Sequence, residues 1–369
     1  MRLNAGFWLL WLSLLTFCYF NSYDDPSSIF YDQSRAYEQK YSLQRAAEAK
    51  AYLQHLPPKI DQAEPHGRLL CIGIPSINRT SESFLAFTVA TLVDTLTPED
   101  RASIHLVVLL ADRAPENHFA YSQPWLANIA DEVLLYGDGP SSTNESVYRT
   151  VPYNHSVLVE TCRHYGSPYF ALVEDDIIAS PRWFAQLKKS LQYVETQSKK
   201  TSKDWVYLRL FYSEIFMGWN NEEWLSYFQN IILAYIVVLL AFLVRILLRR
   251  RLKYVPVMGS ARSCALLMAL VLGLWLPALI ALYFIAGRIS GLVFPQQHLE
   301  GFQALLRNPP YAFAGDQILE DYARDHSLAK WALEPSVFQH VGLKQSSAGD
   351  QRAEVWNFSF ERQHGKGEA

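Results

Sequence analysis

A pair of apolar runs inside the chain limits its fold more than any other feature. Residues 231–248 and 264–286 carry one charge between them, Arg245, near the end of the first. An arginine side chain reaches the headgroup region from such a position. Runs this long exceed what a buried hairpin of a water-soluble core needs, and they predict two membrane spans, the second kinked at Pro277. Between them stand Arg249, Arg250, Arg251, Lys253 and Arg262, with no acidic residue. The positive-inside rule puts that loop in the cytosol and both flanks in the lumen. Glu222 and Glu223, just before the pair, agree with this.

A third apolar block, residues 6–20, opens the chain without a charge. Its length fits the core of a secretory signal, but bulky Phe17, Tyr19 and Phe20 stand where small residues precede a cleavage site. An uncleaved anchor extending to Tyr23 is predicted, short enough for the thinner early-secretory membranes. The expected layout is a cytosolic tail 1–5, an anchor 6–23 and a mainly helical lumenal stem 24–66. The first part of a globular domain follows at 67–228, then a hairpin 229–287 with cytosolic loop 249–263, then the second part at 288–369. The two parts together have the size of one ordinary domain. A formal net charge of −3 with no broad basic surface argues against nucleic-acid binding, and 14% aromatic residues argue against disorder.

Four glycosylation triplets, at Asn78, Asn144, Asn154 and Asn357, fall on both sides of the hairpin and none in a span or in the basic loop. Cys71 and Cys162 face an oxidising lumen under this topology, as one disulfide or as two separate buried thiols. No zinc-ligand spacing is present.

Short apolar strands alternate with helical stretches after the stem. Strands are expected at 69–74, 105–110, 133–136 and 169–173, with helices at 83–96 and 151–165. This pattern predicts an α/β fold with a mostly parallel sheet, whose ligands bind beyond the carboxyl ends of the strands. The fourth strand ends in Glu174-Asp175-Asp176. Three adjacent carboxylates repel one another unless a cation offsets them, and oxygen ligands suit Mg²⁺ or Mn²⁺. Extended backbone would put Glu174 and Asp176 on one face.

Three further residues stand out. Arg209, among aromatics in an alternating strand at 204–212, is either a ligand for an anion or a stacked structural arginine. Asp316 opens an apolar-spaced helix, as a cap or as a base. His340 follows another strand and, as neutral imidazole, is a possible metal ligand.

Residues 172–176 (Leu-Val-Glu-Asp-Asp), 207–214 and Met217-Gly218-Trp219, followed at once by the hairpin, resemble the post-GPI-attachment N-acetylgalactosaminyltransferase family of the Golgi. Residues 335–342 with Ser346-Ser347 are also similar to the N-glycan-branching N-acetylglucosaminyltransferase IV family. The resemblance implies a GT-A-like glycosyltransferase domain split by the transmembrane hairpin. It implies UDP-GalNAc as donor, Mn²⁺ (or Mg²⁺) as cofactor, and inverting transfer to the first mannose of a GPI glycan, on GPI-anchored proteins or the GPI glycolipid. Glu174, Asp176 and His340 would then hold the metal, and Pro75, Ser76, Arg79, Glu174, Asp175 and Arg209 would line the UDP-sugar. Asp316 would be the base, and the protein would be a three-span Golgi membrane glycoprotein in contact with lipid. The triplet at Asn78 lies in the expected nucleotide loop, which sits awkwardly with a glycan there.

Two rivals remain on sequence grounds. Another Golgi UDP-sugar-dependent enzyme, of the N-glycan GlcNAc-branching type, needs only one anchor. A non-catalytic membrane scaffold of the same fold would not need the acidic cluster, Asp316 and His340.

Overall fold

Leucine-, isoleucine- and valine-rich runs closed by polar residues form the strands expected of them. A computed structural model describes every residue except 1, 24–27, 57–66, 79–82, 137–146, 214–223, 252–260, 284–293, 296–298, 308–314, 343–355 and 365–369. In chain order the elements begin with helices α1 (Arg2–Asn21), α2 (Gln33–Ala36) and α3 (Lys40–Gln54). There follow β1 (Leu70–Ser76), α4 (Leu85–Val93), α5 (Pro98–Ala102), β2 (Ile104–Leu110), α6 (Pro124–Ile129) and β3 (Glu132–Leu135). Then come α7 (Val147–Tyr165), β4 (Tyr169–Leu172), β5 (Ile177–Ala179), α8 (Trp183–Thr201) and β6 (Trp205–Arg209). The long helix α9 (Trp224–Arg251) leads to α10 (Ala261–Leu270) and α11 (Leu276–Tyr283). The chain ends with β7 (Phe294–Pro295), α12 (Leu299–Arg307), α13 (Gly315–Asp325), β8 (Ala329–Ala332), β9 (Phe338–His340) and α14 (Phe358–His364). These fall into two units, residues 1–38 with 214–288, and residues 39–213 with 289–369.

The larger unit is built on a sheet of order β3-β2-β1-β4-β7, in which β1 to β4 run parallel and β7 antiparallel. Strand period decides its two faces. Leu70, Ile72 and Ile74 of β1 join Leu106, Val108 and Leu110 of β2 under α4. Cys71, Val107 and Leu109 face the other way, with Leu158 and Val159 of α7. A disulfide between Cys71 and Cys162, with Cα atoms 5.6 Å apart, joins β1 to α7 on that face. Gly73 allows the approach, since a Cβ there would meet Leu158 Cβ at 3.0 Å. Strand order reverses between β1 and β4, so the crevice that favours ligands lies beyond Ser76 and Leu172.

Two small ladders complete the unit. Antiparallel β5 and β9 pair Ile177 with His340, and parallel β6 and β8 pair Arg209 with Ala332.

The expected stem differs from the structure. Helix α3 belongs to the larger unit, because Arg45 on it is only 1% exposed. Its Nη2 donates to both oxygens of Asp94 at 2.9 Å, and its Nε to Ala179 O at 3.1 Å. A polar, alanine-rich sequence reads as a solvated helix, and nothing local reveals that one arginine is buried against a distant carboxylate. Glu361 of α14 caps the start of this helix, accepting from the Tyr41 and Ser42 N–H groups at 2.8 and 3.2 Å. A carboxylate there satisfies otherwise orphaned donors.

In the smaller unit, the Phe7 and Trp275 rings stack at 4.6 Å, and Trp11 Nε1 donates to Ala278 O at 3.2 Å. Tyr235 OH donates to Leu272 O at 3.3 Å, joining α9 to the segment before α11. Residues 271–275 form a π-helical turn, with Leu276 N–H bonded to Val271 O. Pro277 explains it, since its ring crowds the carbonyl four residues back and the helix widens there. Among the described residues, no helix is long and apolar enough to cross a membrane. Loop residues 252–260 and, within α9, the side chains of Arg245 and Ile246 lie outside them.

Candidate active site

The acidic run sits where the sheet reverses its order. Val173, just past β4, donates to Gly73 O at 3.0 Å, and the chain then turns through Asp175 and Asp176 into β5. Thr88, fully buried on α4, holds that turn. Its hydroxyl lies 2.8 Å from Asp175 O and 2.9 Å from Ile177 O, and accepts from Ile177 N–H at 3.2 Å. Thr91, one turn on, accepts from Ala179 N–H at 3.1 Å. Two threonines that read as ordinary helix residues therefore fix the backbone that carries the carboxylates.

The β5–β9 ladder brings the third group. Val341 N–H donates to Asp176 O at 2.8 Å. His340 Nε2 then lies 3.0 Å from Glu174 Oε2 and 3.2 Å from Asp176 Oδ1. One potential ligand atom from each of the three residues falls within 4.8 Å of the others. Asp176 and His340 are buried, while the Glu174 side chain is 69% exposed and open to an incoming group. Burial alone would lower the His340 pKa, but hydrogen bonds and charge from Asp176 and Glu174 overcome it and raise it to about 10. Two carboxylates and one imidazole make a donor set that fits Mn²⁺.

Strand β9 is held from behind. The buried Gln339 side chain bonds both backbone groups of Asn357, Nε2 to its carbonyl at 2.8 Å and Oε1 from its N–H at 3.0 Å. Asn357 Oδ1 accepts from Phe360 N–H at 2.6 Å, capping α14. Asn357 is 0% exposed and Asn154 is 5% exposed, so two of the four glycosylation triplets are packed inside the fold. At Asn78 the side chain is exposed, though Nδ2 donates to Asn117 O at 3.1 Å. Asn144 lies outside the described residues.

Asp175 faces the other side of the crevice. Its Oδ2 accepts from Ser76 Oγ at 2.7 Å, across the gap between the ends of β1 and β4. Behind Ser76 stands His118, with Nε2 at 3.2 Å from Ser76 Oγ and Nδ1 accepting from Ala120 N–H at 3.0 Å. Burial lowers the His118 pKa, against the opposing charge of Asp112. Asp112, just past β2, accepts the Asn78 N–H at 2.9 Å. The sequence marks Asp112 only as a strand end and gives no signal for His118.

Other expected residues separate from this cluster. Pro75 lies within β1, opposite Leu109, and Arg79 lies outside the described residues. Arg209 Nη2 donates to Glu320 Oε1 at 2.7 Å, and its guanidinium lies 5.4 Å from the Tyr207 ring centre. That favours the structural alternative for Arg209 over the UDP-sugar contact. Glu320 also accepts from Tyr207 OH and, at 2.6 Å, from Lys330 Nζ. Burial would raise its pKa, but Lys330, Tyr207 and Arg209 together hold it below the usual carboxylate value. Asp316 is the second residue of α13, and its side chain lies outside the described residues.

Residues 70–339 match a family model described as GPI-N-acetylgalactosamine transferase PGAP4. The match begins at the first residue of β1, runs through the apolar pair, and stops one residue short of His340. No curated protein matches the chain.

Proposed function

Because the chain belongs to the GPI-N-acetylgalactosamine transferase PGAP4 family, we propose a specific reaction for it. N-acetylgalactosamine passes from UDP-GalNAc to the first mannose of the GPI glycan, with inversion and with Mn²⁺ as cofactor. One observation carries this reading: Glu174, Asp176 and His340 converge beyond the switch point of a parallel sheet.

Glu174, Asp176 and His340 would hold the cation, which when bound offsets the charge of the leaving diphosphate. Asp175 and Ser76 form the wall of the crevice on the β1 side, where the nucleotide lies. Asp316 takes the proton from the mannose hydroxyl as its oxygen bonds to the sugar's anomeric carbon. The bond from that carbon to UDP breaks, and its electron pair leaves with UDP. As a carboxylate in the first turn of α13, Asp316 is of the residue type that serves as such a base.

A GPI-modifying enzyme works in the secretory pathway, and the disulfide between Cys71 and Cys162 is at home there. Within it we place the protein at the Golgi membrane, held there through the apolar helices α1, α9, α10 and α11, with GPI-anchored protein or GPI glycolipid as acceptor. Leu9, Phe17, Leu233, Val237 and Leu266 on these helices are all more than half exposed. Apolar surface of that kind on α1, α9 and α10 is suited to lipid around it. The Ser13 and Thr16 hydroxyls bond back to Leu9 O and Leu12 O at 2.8 Å, which spares α1 a demand for water.

The test is UDP release by purified full-length protein over a panel of UDP-sugars with a GPI-mannose acceptor. Acceptor-stimulated release from UDP-GalNAc supports the reaction. Release from UDP-GlcNAc alone rejects it and favours the branching-type rival.

A further inference from the structure

We infer that His118 is a positioning residue for the nucleotide-sugar donor, acting through Ser76 to orient Asp175. This rests on the reading of residues 174–176 as the donor-binding turn.

The geometry fixes a direction for the hydrogen-bond chain. Ala120 N–H donates to His118 Nδ1 at 3.0 Å, so the proton of the neutral ring sits on Nε2. Nε2–H then donates to Ser76 Oγ at 3.2 Å. Ser76 has a single hydroxyl proton, and it goes to Asp175 Oδ2 at 2.7 Å. With Thr88 Oγ1 at 2.8 Å from the Asp175 carbonyl, both the backbone and the side chain of Asp175 are held. Asp112 Oδ2 lies 3.8 Å from His118 Nε2, beyond hydrogen-bond reach, and Asp112 accepts the Asn78 N–H instead.

The chain crosses the sheet's switch point. His118 comes from the loop after β2, Ser76 from the end of β1, and Asp175 from the turn after β4. A histidine that merely filled the core would touch apolar neighbours and leave Asp175 alone. This one is wholly buried and ends its hydrogen-bond chain on a carboxylate between two proposed metal ligands. Asp175 is not in the metal cluster, so disturbing it should weaken donor binding more than metal binding.

The experiment compares wild type with His118→Ala, His118→Gln, Ser76→Ala and the double variant, measuring donor KM, kcat and half-saturating Mn²⁺. His118→Ala and Ser76→Ala should each raise the donor KM several-fold, up to about tenfold, the worth of one hydrogen bond lost from the chain. In His118→Ala both kcat and the Mn²⁺ requirement should stay near wild type. His118→Gln keeps a donor to Ser76 and should restore most of the affinity, and the double variant should be no worse than either single one. An unchanged donor KM in either single variant overturns the proposal. So does a parallel rise in the Mn²⁺ requirement of His118→Ala, or a failure of glutamine to rescue. If His118→Ala unfolds, His118→Asn carries the same test against His118→Gln: the shorter amide cannot reach Ser76 and should raise the donor KM, while glutamine should not. If wild type fails to turn over UDP-GalNAc, the reading of the site falls, and UDP affinity across the same variants still decides the relay.

Discussion

His340 Nε2 lies 3.2 Å from Asp176 Oδ1, although the apolar helices α9 to α11 separate the two residues in sequence. The β5–β9 ladder makes the meeting, with His340 registered opposite Ile177. Neither segment carries the cluster alone, which accounts for a globular unit whose chain leaves for the apolar helices and returns.

Metal binding at this cluster should release a proton. His340 has a folded pKa of about 10 against an ordinary 6.5, raised by Asp176 and Glu174 against the effect of burial. A metal ligand must be neutral imidazole, so apparent Mn²⁺ affinity should rise with pH from 6 to 9. In metal-free protein the sign is opposite. The raised pKa contributes stability that is complete below 6.5 and lost as pH climbs towards 10. Calorimetric titration in buffers of differing ionisation enthalpy reads the proton release, and Mn²⁺ affinity flat with pH would refute it.

Thr88→Val should unsettle the turn without touching the ligands. It removes a buried hydroxyl that serves the backbone of Asp175 and Ile177 and leaves polar groups unsatisfied. The expected loss is about 1–3 kcal/mol of stability, together with a higher Mn²⁺ requirement. Chemical denaturation and a metal titration check both, and an unchanged Mn²⁺ requirement would separate Thr88 from the site.

Glycans should be absent from Asn154 and Asn357, since both side chains are packed inside the fold. Site-resolved mass spectrometry of protein from a secretory host checks this. A carbohydrate on Asn357 would contradict the bond that its buried Nδ2 donates to Tyr212 O at 3.3 Å.

Asp316→Asn keeps the size of the side chain and removes the proton acceptor. Turnover should fall roughly 10²–10⁴-fold with donor KM little changed. Glu320→Gln is the contrast. Glu320 is committed to Tyr207, Arg209 and Lys330, so that variant should lose stability first. Normal turnover by Asp316→Asn, with collapse in a folded Glu320→Gln, would transfer the base role to Glu320.

Parts of this were legible in the sequence because they are local. Unbroken apolar runs became β1, β2 and β4, and the acidic run fell at a strand end as expected. His340 carried little weight as a lone residue, and its meaning depends on pairing with Ile177, which leaves no periodic trace. The same holds for Arg45 against Asp94, for Arg209 against Glu320, and for His118 behind Ser76. Each is a buried polar contact between distant segments, where local pattern is silent. Residues 151–165 read as helix, yet α7 begins at Val147 and carries Pro152 in its second turn, where the ring removes the N–H that would bond Tyr148 O.

The most direct test of the account is GalNAc transfer from UDP-GalNAc to a GPI-mannose acceptor with added Mn²⁺. It should be run on the full-length protein and on Asp176→Ala and His340→Ala, each first shown to be folded. The account predicts transfer by wild type, its loss in EDTA and recovery on adding Mn²⁺, and loss in both variants. Full transfer in EDTA, or by either folded variant, would contradict it.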